Sequence, residues 1–116
     1  MSSIQRLLPG ARLSEAVVFN GMAFLAGQVP EDTSRDAEGQ TAEVLSLIDN
    51  VLAQLGTDKT RILDATIFLA DLADYEAMNR AWDAWVPAGH SPARATVEAK
   101  LANPAWKVEI KIVAAL

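Results

Sequence analysis

The sequence predicts an α+β fold, with elements ordered β-β-α-β-α-β-β and both helices on one face of the sheet. Three observations predict it. Two stretches carry apolar residues three and four positions apart, the spacing of one helix face. An Asn-Gly pair separates two short apolar runs, which is the mark of a two-residue hairpin turn. Two β-patterned runs then follow the second helical stretch.

The elements follow in order. Residues 17–19, Asn20-Gly21 and residues 22–26 read as a hairpin, because Asn-Gly supplies the positive φ angles of a type I′ turn. The polar, Pro/Gly-punctuated stretch GQVPEDTSRDAEGQ reads as a loop over residues 27–36. A long helix follows, its apolar face made by Val44, Leu45, Ile48, Val51, Leu52 and Leu55, with Gly56 placed to cap it. Residues 62–72 are β-branched and apolar and read as a central strand. Asp71 or Asp74 opens a second helix, whose inner face is Met78, Ala81, Trp82 and Trp85 and which Pro87 and Gly89 end. Residues 93–101 and 106–114 read as two final strands joined at Asn103-Pro104.

Composition narrows the function. The 116 residues suit one domain, residues 1–116. With 51% hydrophobic and 22% charged residues the chain is ordinary for a soluble globular protein. A net charge of −5 argues against a nucleic-acid partner, which calls for a basic stripe. Cysteine is absent, which removes thiol catalysis and thiolate metal sites, and the single histidine, His90, makes no metal site alone. The N-terminal MSSIQRLLPG has no apolar signal core, and no apolar run approaches the roughly 20 residues that cross a bilayer. A cytoplasmic protein with no membrane partner, no metal and no organic cofactor is expected.

The stretch SPARATVEAK carries the chemistry. Arg94, Thr96, Glu98 and Lys100 alternate with Ala95, Val97, Ala99 and Leu101. If the last two strands form a hairpin, the simplest register pairs Glu98 with Glu109 and Arg94 with Val113. Arg94, Thr96 and Glu98 then share a face with Lys107, Glu109 and Lys111, turned away from the helices. The central strand is apolar on both sides, so this second face needs a cover, and another copy of the chain is the economical one. An arginine and a glutamate in one cleft divide labour: the guanidinium forks onto a carboxylate, and the glutamate handles a water or a leaving nitrogen. The same alternation also describes a solvated edge or an interface ion-pair network, and the pattern alone leaves both open.

These residues carry a family resemblance. PARATVEAKL followed by WKVEIKIVA, the AGQVPED stretch and MNRAWDAW resemble the Rid proteins, the reactive intermediate deaminases of the YjgF family, nearly end to end. Pro92, Ala93 and Arg94 match the family's Pro-x-Arg signature, Gly27 and Gln28 its Ser-Gly-Gln segment, and Asn79 an asparagine on its second helix. The resemblance implies a chorismate-mutase-like fold. It also implies a homotrimer whose three sheets form an inner β-barrel, with clefts between subunits. It implies hydrolysis of enamines and imines such as 2-aminoacrylate and related 2-imino acids to 2-keto acids and ammonia. Arg94 would bind the substrate carboxylate and Glu109 would place or activate the water.

Three departures accompany the match. Ala26 stands where well-known deaminases have the serine of Ser-Gly-Gln, Leu13 falls where they have a cleft tyrosine, and the loop before Pro92 is shorter. Lost hydroxyls remove hydrogen bonds from a pocket. The alternative function is therefore a non-catalytic trimer that binds a small carboxylate and has a regulatory role.

Overall fold

A computed structural model describes residues 3–116; Met1 and Ser2, which begin the N-terminal stretch read above for a signal core, lie outside the described residues. Six strands and two helices form, in the order β1 (Gln5–Leu7), β2 (Ala16–Phe19), β3 (Met22–Leu25), α1 (Ala37–Gln54), β4 (Ile62–Leu69), α2 (Tyr75–Trp85), β5 (Ala93–Glu98) and β6 (Val108–Ala115). The sheet runs β1-β2-β3-β6-β4-β5 and is mixed, with β4 and β5 parallel.

The local signals explain most of this. Asn20 and Gly21 take φ of 52° and 74°, as the β2–β3 turn requires. Asp36 caps α1 through the backbone N–H of Gly39 at 2.8 Å. That cap offsets the weak helix propensity of the glycine. Gly56, at φ 78°, ends the helix one residue beyond Leu55. Asp71 caps a short 3₁₀ turn, Leu72–Asp74, and Asp74 then occupies the N-cap of α2 without a side-chain bond. Leu45, Ile48 and Leu52 of α1 and Met78 and Trp82 of α2 pack with Ala65, Ile67, Leu69, Ile110 and Ile112 of the sheet in one core. Both helices thus cover the same face.

Two expectations need correction. The strand β1 escaped the sequence reading, so the sheet has six strands rather than five. The expected β5–β6 hairpin does not form. β4 lies between them: Arg94 pairs with Ala65 and Glu98 with Leu69 on one side, while Glu109 pairs with Phe68 and Val113 with Asp64 on the other. The reason is the crossover. A helix between two strands brings the second back parallel to the first, and α2 carries β4 into β5 this way.

The face assignment of β5 is therefore inverted. Arg94 and Thr96 share the helix-covered face with Ala65 and Ile67, whereas Ala95 and Val97 lie on the open face with Thr66 and Phe68. For β6 the expectation holds: Val108, Ile110 and Ile112 are fully buried under the helices, and Glu109 and Lys111 lie on the open face. That open face is apolar at many positions, with Phe19, Met22 and Phe24 exposed on β2 and β3 and Val97 exposed on β5.

Candidate functional site

One group of candidate residues gathers around Glu109. Just past β3, Gln28 donates its backbone N–H to the Ile110 carbonyl at 2.8 Å and accepts from Ile110 N–H at 3.0 Å. This bridge clamps residues 26–28 against β6 beside Glu109. Gly27 is needed there for space: a Cβ would meet Glu109 Cδ at 3.0 Å and Oε2 closer still. The backbone at Gly27 is thus the floor on which the carboxylate rests.

The Gln28 side chain is buried and engaged through its amide nitrogen. Its Nε2 donates to Glu15 Oε1 and to the Ala26 carbonyl, each at 3.0 Å. Gln28 therefore positions Glu15 through its amide nitrogen. Leu13, Glu15, Ala26, Gly27, Gln28, Trp106 and Glu109 all line one cleft of about 700 Å³, with Leu8 and Leu13 exposed along it. Glu15 and Trp106 were not among the sequence candidates. Glu15 precedes the first apolar run and carries no local signal; the Ala26 N–H, which donates to the Glu15 carbonyl, fixes it beside the cleft.

A second group gathers around Arg94. The β5 register aims its side chain at α2. Arg94 Nη1 donates to Asn79 Oδ1 at 2.8 Å, and Nη2 donates to the Tyr75 hydroxyl at 3.3 Å. The guanidinium carbon lies 5.2 Å from the Trp82 ring centroid and 5.9 Å from that of Tyr75, within cation–π range. Asn79, a candidate ligand contact by sequence, thus holds the arginine. Trp82 is core, as its helical spacing indicated, and also backs the guanidinium. Tyr75 was missed, although it lies on the same helix face one turn before Asn79. Two residues along β5, the Thr96 hydroxyl oxygen is buried without a hydrogen-bond partner.

The two groups do not meet within one chain. Arg94 and Glu109 lie two strands apart and three residues out of step on opposite faces, roughly 14 Å between backbones. What each can do is distinct. Arg94 offers an oriented fork for a carboxylate. Glu109 offers an acceptor over a backbone floor in a cleft that holds a second carboxylate, Glu15. Among the described residues no three His, Asp or Glu side chains gather as metal ligands, and no helix is long and apolar enough to cross a membrane. His90 is exposed in its loop, its Nδ1 3.0 Å from the Ala88 carbonyl oxygen.

The fold and these two groups define a two-layer α+β protein with one group of candidate residues on each face of its sheet. The family model described as Endoribonuclease L-PSP matches residues 3–116, and the chain belongs to that family, the YjgF/Rid proteins. A RutC family protein, YoaB, from Escherichia coli is 55% identical over 114 residues, covering 98% of this chain and 99% of the relative. Reactive Intermediate Deaminase A of Arabidopsis thaliana is 35% identical, over 89% of this chain and 58% of its own length. A YjgF-family crystal structure from Neisseria meningitidis superposes with a TM-score of 0.95 at 54% identity, covering 97% of this chain and 94% of that one.

Proposed function

We propose that the chain hydrolyses reactive enamines and imines, 2-aminoacrylate and related 2-imino acids, to 2-keto acids and ammonia. The site would lie between copies of the chain in a cytoplasmic homotrimer with an inner β-barrel. Arg94 of one copy would then face the Glu109 cleft of the next. A single observation carries the reading. Arg94 is oriented by Asn79, Tyr75 and Trp82, yet no carboxylate among the described residues lies within ion-pair distance of it. A guanidinium held in place and left without an anion is built to receive one. The name of the Arabidopsis relative supports the reaction class.

The chemistry needs no redox partner. An enamine first tautomerises to the imine. Water then adds to the imine carbon while Glu109 takes one of its protons. The nitrogen takes that proton to give the carbinolamine, which collapses as its hydroxyl proton passes by way of Glu109 to the nitrogen, forming the keto C=O and breaking the C–N bond to release ammonia. Arg94 holds the carboxylate so that the imine carbon stays over Glu109. The family description also names an endoribonuclease, but a net charge of −5 does not favour a nucleic-acid substrate.

The test is keto-acid release from 2-aminoacrylate generated in situ by a serine dehydratase. Wild type should accelerate release and Arg94→Ala should not, with melting temperature unchanged. Equal rates in both would refute the reading. Carboxylate binding without turnover, across a panel of larger imino acids, would instead establish the regulatory alternative. The missing hydroxyls at Leu13 and Ala26 are what favour it.

A further inference from the structure

We infer that the Tyr75 hydroxyl is a direct ligand of the substrate carboxylate and completes a three-donor anion site with Arg94. The inference rests on the carboxylate-binding role of Arg94 proposed above. Its starting point is the direction of one hydrogen bond. Guanidinium only donates, so in the 3.3 Å contact with Arg94 Nη2 the phenol oxygen of Tyr75 must accept. Its own O–H then remains as a donor, and it meets no protein acceptor among the described residues.

The same accounting applies to Arg94. Nη1 serves Asn79 at 2.8 Å and faces the Met78 sulfur at 3.9 Å, and one hydrogen of Nη2 serves Tyr75. Nε and the second hydrogen of Nη2 have no acceptor among the described residues. Both N–H groups remain for a ligand, and the Tyr75 hydroxyl lies 3.3 Å from Nη2 beside them. Accepting from a cation also polarises the phenol and strengthens what it donates. Tyr75 is 39% exposed, so an incoming anion can reach it. A carboxylate, with its several lone-pair sites, satisfies all three donors at once.

The arrangement has a consequence for selectivity. A carboxylate takes three charge-assisted or polarised hydrogen bonds, whereas a carboxamide has one acceptor oxygen and presents an N–H₂ to groups that only donate. Substrates should therefore be free acids, with amides rejected at this position.

The experiment is calorimetric titration with pyruvate, a 2-keto acid of the product class, into wild type, Tyr75→Phe and Arg94→Ala. Tyr75→Phe keeps the ring beside the guanidinium and removes only the hydroxyl, and unchanged melting checks that the fold is kept. The expected result is pyruvate binding weakened about tenfold in Tyr75→Phe and lost in Arg94→Ala. The KM for an imino acid should rise about as much, with kcat held, since a contact made equally in ground and transition states affects binding alone. Residual binding of pyruvamide should not change between wild type and Tyr75→Phe, which a merely structural role for the hydroxyl would not produce. Equal pyruvate affinity in wild type and Tyr75→Phe, with binding lost in Arg94→Ala, would overturn the assignment of Tyr75 and leave Arg94 in place. No binding to wild type would overturn both.

Discussion

Gly27→Ala isolates the part of the site that rests on a single missing atom. A Cβ added there would come 3.0 Å from Glu109 Cδ and 3.3 Å from Cγ, with Oε2 nearer still. Such contacts cannot persist, so something shifts. Gly27 does not have a positive φ, which leaves the backbone free to hold alanine. The element that yields is the far end of the Glu109 side chain, whose torsions swing the carboxylate away. Restoring ordinary contact near 3.4–4 Å requires a displacement of about 1 Å or more, enough to cost about 10²-fold in rate when the group positions a water.

The stability effect should go the other way or vanish. Glycine to alanine at a compatible backbone position stabilises by about 0.4–1 kcal/mol through the unfolded chain, and the strain of a displaced surface rotamer offsets part of it. The assay pairs imine hydrolysis with urea denaturation of the same preparation. The expected outcome is a kcat near that of Glu109→Gln with a midpoint close to wild type. Wild-type turnover in Gly27→Ala would refute the role of the Glu109 position. Loss of folding would refute the claim that only the side chain moves.

Two further predictions concern assembly. Light scattering at micromolar concentration should give three times the chain mass, and Phe24→Asp, which puts a charge on the open face, should give a monomer that remains folded by circular dichroism. A monomeric wild type would sink the trimer. Mixing the inactive variants Arg94→Ala and Glu109→Gln, unfolded together and refolded, should restore about a quarter of wild-type activity, the share of sites pairing an intact arginine with an intact glutamate from a different copy. No recovery would mean that Arg94 and Glu109 of different copies do not share a site.

The parts legible in the sequence were those whose cause is local. Asn20-Gly21 determines its own turn, the stripe from Val44 to Leu52 declares its own face, and Gly56 ends its own helix. The short QRL strand at Gln5–Leu7 has no periodicity to read. Strand pairing is a different matter, because it depends on what crosses between the strands. Residues 75–85 separate two β-patterned runs by one short helix, which is the signal of a parallel pair, while residues 99–107 make a long connection for a hairpin. Reading β5 against β6 instead of β4 displaced its register onto the wrong partner and turned every side chain to the wrong face. Gly27 and Glu109 were marked as candidates by the family resemblance, not by a local pattern. Glu15, Tyr75 and Thr96 were not, because each becomes notable only through a neighbour distant in sequence.

The electrostatics of the two candidate groups follow one logic. Elsewhere two ion pairs form, Arg35 with Asp32 at 3.2 Å and Arg80 with Glu38 at 2.7 Å, each roughly half-exposed and worth little, while Lys59, Arg61 and Lys111 donate to backbone carbonyls. Arg94 is treated differently. Its partners are an amide oxygen, a phenol, a thioether and an indole face, which orient the guanidinium without neutralising it. Glu109 is treated the same way, resting over Gly27 while the nearby Lys111 donates to the Leu25 carbonyl. A carboxylate beside Arg94 or an ammonium on Glu109 would satisfy each within its own chain and leave nothing for a ligand. Neutral partners orient Arg94, and Glu109 has no cation within ion-pair distance among the described residues; the two lie on opposite faces of the sheet. A packing that brings the face of one copy against the edge of the next would let a single anionic imine satisfy the arginine at its carboxylate and the glutamate at its nitrogen.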